Sequence, residues 1–214
     1  MVIICLHGMG RTRYSMAKLA RHLRGAGHTV HLFGYQRRAR LSHAARKLVK
    51  FLEAHSLEQG GPGIGFVGHS AGGVLLRYLA AELPEFRAGR SVALGSPIAG
   101  SVIAQHYAHR PWMKVACGPI LQSLHPDEVA KLPPPPCALA AVAGTGKTAF
   151  LPSSILMAPI ADGRASDTTV LVEETQAASM HDWTSVPVIH TLLPSDAGVH
   201  ALVRRYLETG SFEG

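Results

Sequence analysis

Gly68-His69-Ser70-Ala71-Gly72 places a serine between two glycines, after the apolar run Ile64 to Val67 and before the helical pattern Val74, Leu75, Tyr78 and Leu79. That order reads as strand, sharp turn and helix. A G-x-S-x-G turn in this setting is a nucleophile elbow, in which a strained backbone lifts the Ser70 hydroxyl clear of the sheet edge. Gly68 and Gly72 are required because a side chain on either would collide with the helix packing back over the strand. A glycine-rich turn without chemistry is the weaker reading of a serine in that position.

A serine hydroxyl becomes a nucleophile only with a base to take its proton and an acid to orient that base. Behind an elbow of this kind the chain order is serine, acid, histidine. Three of the 13 histidines lie in the C-terminal part: His181, His190 and His200. His200 falls on the last helical pattern, facing away, and His181 sits in a polar turn beside Asp182. His190 follows the apolar, strand-like run Val186 to Ile189 and precedes the last helix, where a loop can carry an imidazole over the sheet edge. It is the expected base. The acid must come from a loop after a late strand, which leaves Asp162 and Asp167 as candidates, with Asp127 and Asp182 fitting less well. Asp162-Gly163 also reads as ordinary turn chemistry. The developing oxyanion needs two N–H donors, one from Ala71 and one from the His7-Gly8-Met9 loop, for which Met9 is the choice. Gly8 lets that loop pass close to the substrate carbonyl.

These groups need a scaffold, and the hydropathy pattern supplies one. Val2 to Leu6, Thr29 to Phe33, Ile64 to Val67, Ser91 to Leu94 and Ala138 to Val142 read as short buried strands, with Val170 to Val172 as a further strand-like run. Helical patterns fall between them: Met16, Leu19, Ala20 and Leu23; Leu41, Ala44, Ala45, Leu48, Val49 and Leu52; the elbow helix; and finally Val199, Leu202, Val203 and Tyr206, with Asp196 to cap it and Gly210 to end it. Strand and helix in alternation predict an α/β fold with a mostly parallel sheet, helices on both faces, and ligands at the carboxyl ends of the strands. Residues 101–136 carry a weaker pattern with Tyr107, Trp112, Met113, Ile120 and Leu121, and read either as a cap or lid or as an ordinary connecting excursion with one or two helices.

At 214 residues and 47% hydrophobic, the chain suits one globular domain. Three cysteines make no disulfide framework, so a reducing, cytoplasmic setting is expected, with no secretory signal at Met1 to Leu6 and no run of membrane-spanning length. The net charge of +7 is uneven: eleven of the 21 Lys and Arg lie in the first fifty positions, before the first acid, Glu53. The charges read mainly as solvated faces of two helices. Peripheral contact with an anionic membrane, or an anionic substrate, is the alternative, and no aromatic-interleaved basic motif points to nucleic acid. Ala141 to Thr148 fits a relaxed phosphate-binding loop, but Pro152 and the broken pattern after Phe150 argue against the helix such a loop must open into.

Taken together, His7-Gly8-Met9-Gly10, Gly68-His69-Ser70-Ala71-Gly72-Gly73, Leu94-Gly95-Ser96-Pro97 with Gly100-Ser101, and the tail segments Asp167 to Thr175, His190-Thr191 and Thr209 to Phe212 resemble the α/β-hydrolases of the compact lipase and inositol-deacylase-like branch. The resemblance implies that Ser70 is the nucleophile. By register against Val170 to Thr175 it makes Asp167, rather than Asp162, the acid. Family members usually carry glycine straight after that acid, where this chain has Thr168. The expected activity is carboxylic-ester hydrolysis of a small-molecule or lipid substrate, without metal or organic cofactor. The alternatives are an acyltransferase or thioesterase using the same residues, or a non-catalytic binding protein on the same fold. Nothing in the chain specifies an oligomeric state.

Overall fold

Short apolar runs separated by amphipathic helices can bury their side chains only by stacking helices on both faces of a sheet, and the chain does so. The computed structural model describes residues 1–149 and 152–213. Strands β1 (Val2–Leu6), β2 (Thr29–Phe33), β3 (Ile64–His69), β4 (Arg90–Leu94), β5 (Ala138–Gly144) and β6 (Asp182–Val186) form one sheet. Their order is β2-β1-β3-β4-β5-β6, and every pair is parallel. Side chains alternate across it. Ile3, Cys5, Val67 and Val92 pack under α1 (Ala17–Gly25) and α8 (Ala197–Thr209), while Ile4, Leu6, Phe66 and Ala93 pack under α2 (Leu41–Ala54) and α3 (Ala71–Glu82). The α8 ends are as the sequence predicts: Asp196 accepts from Val199 N–H at 2.9 Å, and Gly210 closes the helix with φ of 91°.

Because all strands are parallel, their carboxyl ends share one edge. Leu6 is in register with Phe33 and Gly68, and His69 with Leu94. Over that edge lie α4 (Val102–Tyr107), α5 (Pro111–Cys117) and α6 (Pro126–Ala130), built from the excursion over residues 101–136, together with α7 (Pro152–Ala161). The excursion is bonded to α2 and to α7. Ser123 Oγ accepts from Leu41 N–H at 3.1 Å, and the Tyr107 hydroxyl donates to Leu156 O at 3.3 Å. Among the described residues no helix is long and apolar enough to cross a membrane.

Three local expectations are corrected. The run Val170 to Val172 is not a strand: Leu171 makes one isolated bridge to Ser166, and Val172–Thr175 closes as a 3-10 turn. Glu174 causes this, its carboxylate accepting from both Leu171 and Val102 N–H at 2.5 Å. The strand expected at Val186 to Ile189 ends at Val186, because Pro187 has no N–H to continue the ladder, and begins instead at Asp182. Finally, α7 exists. Pro152 is its first residue, a position where a missing N–H costs nothing. Phe150, on which the argument against a helix turned, lies outside the described residues.

Candidate active site

β3 ends at His69 and α3 starts at Ala71, which leaves Ser70 alone to reverse the chain. It does so with φ of 54° and ψ of −124°, a conformation that strains any residue with a Cβ. Its N–H donates to Leu94 O at 2.9 Å and its carbonyl accepts from Gly73 at 3.0 Å, so the turn is locked at both ends. The flanking glycines are close approaches. A Cβ on Gly68 would lie 2.5 Å from Gly73 N, and one on Gly72 would lie 2.4 Å from Leu6 O.

Asp167 and His190 come from different loops and meet beneath the edge. Asp167 Oδ2 lies 2.7 Å from His190 Nδ1, and both side chains are almost wholly buried. The other carboxylate oxygen accepts from Thr169 and Val170 N–H at 3.0 and 2.8 Å, which fixes the carboxylate plane. A carboxylate can only accept, so Nδ1 carries a proton, and in the neutral ring Nε2 then bears the lone pair. The backbones also join, His190 N–H donating to Asp167 O at 3.3 Å. Thr168, straight after Asp167, has φ of 74°, the left-handed conformation that glycine takes freely. That is the backbone for which a glycine at this position would be suited. Asp162 stands apart in a turn after α7 with φ of 46°.

Two residues that the sequence reading did not assign to the site make room for this pair. A Cβ on Gly95, at the end of β4, would lie 2.9 Å from Asp167 Oδ2 and 3.1 Å from His190 Nδ1; one on Gly144, at the end of β5, would lie 2.8 Å from Asp167 Cβ. Their signal in the sequence was a glycine directly terminating a strand. Gly144 is therefore a close-packing residue, and the phosphate-loop alternative fails on its donors: Thr145 and Gly146 N–H bond Val186 and Val188 carbonyls at 2.8 and 3.2 Å.

The loop after β1 lies against the elbow. A Cβ on Gly8 would come within 3.0 Å of both Ser70 Cβ and His69 Nδ1. His7 is buried and stacked on Tyr35, ring centroids 4.1 Å apart. Its Nδ1 donates to Gly8 O at 2.9 Å and its Nε2 accepts from Tyr35 N–H at 3.4 Å, a pattern only the neutral ring can make. Burial accordingly holds its pKa below the ordinary value. His69 is buried too, its Nε2 donating to His190 O at 3.0 Å, and desolvation followed by the proximity of His190 pushes its pKa well below the ordinary value. Among the described residues, neither Met9 N–H nor Ala71 N–H has a hydrogen-bond partner. Ala71 N–H is one of the orphan donors every helix start leaves.

Ser70 and His190 open on one cavity of about 560 Å³, without a hydrogen bond between their side chains. Met9, Trp112, Met113, Leu121, Leu156 and Val170 give it an apolar wall. Of the cap residues singled out in the sequence, Trp112, Met113 and Leu121 line it; Ile120 is buried in the core and Tyr107 braces α7. The contribution of α7 was missed, because Pro152 and Pro159 obscured its pattern. His200 lies away from the site, its Nε2 3.0 Å from Pro194 O. Among the described residues no group of three or more His, Cys, Asp or Glu is placed to share a metal ion.

A family model described as the alpha/beta hydrolase family matches residues 3–211. No curated protein matches the chain. Among solved structures, the mature lipase of Bacillus licheniformis superposes with a TM-score of 0.69 at 14% identity, over 88% of this chain and 84% of the lipase. A metagenomic carboxyl esterase gives 0.70 at 14% identity, over 97% and 73%. A thioesterase of the prodiginine biosynthetic pathway in Streptomyces coelicolor gives 0.59 at 16%, over 97% and 89%. At these identities the likeness is one of fold.

Proposed function

From the premise that the chain belongs to the alpha/beta hydrolase family, we propose that it is a serine carboxylic-ester hydrolase working through an acyl-enzyme on Ser70. The observation that carries this reading is the buried 2.7 Å contact between Asp167 and His190, made beside a strained serine that shares a cavity with His190. His190 Nε2 takes the Ser70 proton as the hydroxyl attacks the ester carbonyl. Asp167 holds the imidazole in the required tautomer and stabilises the imidazolium that forms. Met9 and Ala71 N–H receive the oxyanion. The imidazolium then protonates the leaving alcohol, and water repeats the sequence to release the acid. A largely apolar pocket of about 560 Å³ lies in the range of small-molecule sites and suits an acyl chain.

The test is Ser70→Ala, assayed with short esters and with a serine-reactive phosphonate. The folded variant should lose both labelling and turnover. Retention of parent activity, or labelling at a different serine, would overturn the assignment.

A further inference from the structure

A second cavity opens on the same sheet edge, about 960 Å³ in size, and its charges have no role in the chemistry above. Arg13 reaches it from the loop after β1, Arg37, Arg38 and Arg40 from the loop after β2, and His43 and Lys47 from the first turns of α2. The basic excess of the first fifty residues is therefore not only a matter of solvated helix faces. Five cations from three segments converge on one concavity.

No Asp or Glu lines that cavity. Elsewhere Arg46 pairs with Glu82, Lys131 with Glu128, Arg164 with Glu173 and Arg204 with Glu208. None of the five cavity cations makes such an ion pair among the described residues. Three donate only to neutral acceptors: Arg13 to the Tyr14 hydroxyl, Lys47 to Gly34 O and Arg38 to Val115 O. Gathering like charges around a hollow costs Coulomb energy that a bound anion would return, and guanidinium groups match phosphate oxygens in a fork geometry.

Its place relative to Ser70 follows from strand order. β2, β1 and β3 are neighbours, so their following loops bring the cation cluster, the His7-Gly8-Met9 turn and Ser70 side by side. Two strand spacings put the end of β2, from which the Arg37–Arg40 loop leaves, roughly 10 Å from the elbow. The two cavities share no lining residue but adjoin along the chain: Gly10 N–H donates to Arg37 O at 3.4 Å, His7 lines the cationic cavity, and Met9 and Gly10 line the Ser70 cavity. The apolar cavity extends the other way, under α5 and α7. An ester seated at Ser70 with its acyl chain there sends its alcohol half toward the cations.

We infer that the natural substrate carries a phosphate on its alcohol half, about two strand spacings from the ester carbonyl, and that the Arg37–Lys47 cavity binds it. This rests on the ester-hydrolase reading of Ser70.

The matched substrates are glyceryl butyrate and its 3-phosphate in solution, and a medium-chain diacylglycerol and its phosphatidylglycerol counterpart in vesicles. A kcat/KM preference of at least about tenfold for the phosphorylated partner is expected, the size of one charge-assisted contact. Preference in solution assigns the site to soluble phosphate esters; preference only in vesicles assigns it to lipid headgroups. In Arg37→Ala/Arg40→Ala, two exposed positions, the preference should fall toward one. No preference in either arm, or a preference the double variant leaves unchanged, overturns the inference. Calorimetry on Ser70→Ala separates this from the catalytic reading. Tighter binding of the phosphorylated ester without turnover by the parent protein would sink the hydrolase assignment and keep the anion site. Equal binding of the two esters would remove the anion site even with turnover intact.

Discussion

His69 Nε2 donates to the backbone carbonyl of His190 at 3.0 Å, so the residue before the serine holds the loop that carries the imidazole. The two rings lie 4.8 Å apart. The contact spans 121 residues of sequence and joins the elbow to the loop of His190. Burial keeps His69 neutral, and Gly8 packs against its other nitrogen, so the ring has little freedom to move.

Removing this donor should misplace the base more than the substrate. His69→Phe leaves His190 O buried and unpaired, a loss of about 1–3 kcal/mol at the carbonyl, and kcat should drop roughly tenfold with KM little changed. His69→Gln, which retains a donor, should recover part of the loss. Steady-state kinetics on one short ester decide the matter: a loss confined to a rise in KM would show that His69 does not position His190.

Asp167 and Asp162 can be separated in the same assay. Asp167 holds the imidazole through Oδ2 and is itself held by two backbone N–H groups, whereas Asp162 occupies a turn after α7. Asp167→Asn should lower kcat by at least roughly a hundredfold, because an amide can present a donor to Nδ1 and select the wrong tautomer. Asp162→Asn should stay near the parent rate. The reverse order would transfer the role to Asp162.

What the sequence exposed and what it hid follow from the range of the interactions. The elbow was legible because its glycines and serine are local: five residues determine the turn. The loop that sets His190 beside Asp167 was legible from position, although for a reason partly mistaken, since Pro187 ends the strand sooner than the apolar run suggests. Asp167 could be separated from Asp162 only by resemblance. Its hallmark is a left-handed backbone at Thr168, which residue type conceals where glycine would display it. Gly95 and Gly144 were illegible as site residues, because their role is to leave space for side chains 23 or more positions away. The cationic cavity was hidden for the same reason: charges read one helix at a time do not reveal that loops after neighbouring strands face one hollow.

Glu174 sets a pH dependence. Its carboxylate is buried between the start of α4 and the turn after Asp167, and burial raises its pKa from 4.5 to about 7, with the N–H groups of Val102 and Leu171 opposing. A carboxyl whose pKa is higher in the folded chain than in the unfolded one contributes stability that is complete below about 4.5 and is lost as pH rises through about 7. The whole span is worth roughly 3 kcal/mol. Glu174→Gln cannot titrate, so the stability of the parent relative to the variant should fall between pH 4.5 and 8, other groups cancelling in the difference. Urea unfolding of both proteins at several pH values would show it. A difference independent of pH would mean that Glu174 does not change its protonation over this range.

Acyl-chain length should be read by two helices facing each other across the apolar cavity. Trp112 on α5 and Leu156 on α7 both line it, and neither is fully buried, so truncating them alters the pocket with less damage to the core than truncating Met113 would cause. Each side chain covers apolar area that a long acyl chain reaches and an acetyl group does not. Losing that cover should cost about 1 kcal/mol or somewhat more for long chains, a five- to tenfold fall in kcat/KM, with acetate esters nearly unaffected. If the two walls grip the same stretch of chain, Trp112→Ala and Leu156→Ala should combine less than additively; walls touching different stretches would give additive losses. A series of nitrophenyl esters from acetate to decanoate gives both quantities at once. Equal losses across the series would show that α5 and α7 support the fold without holding the acyl chain.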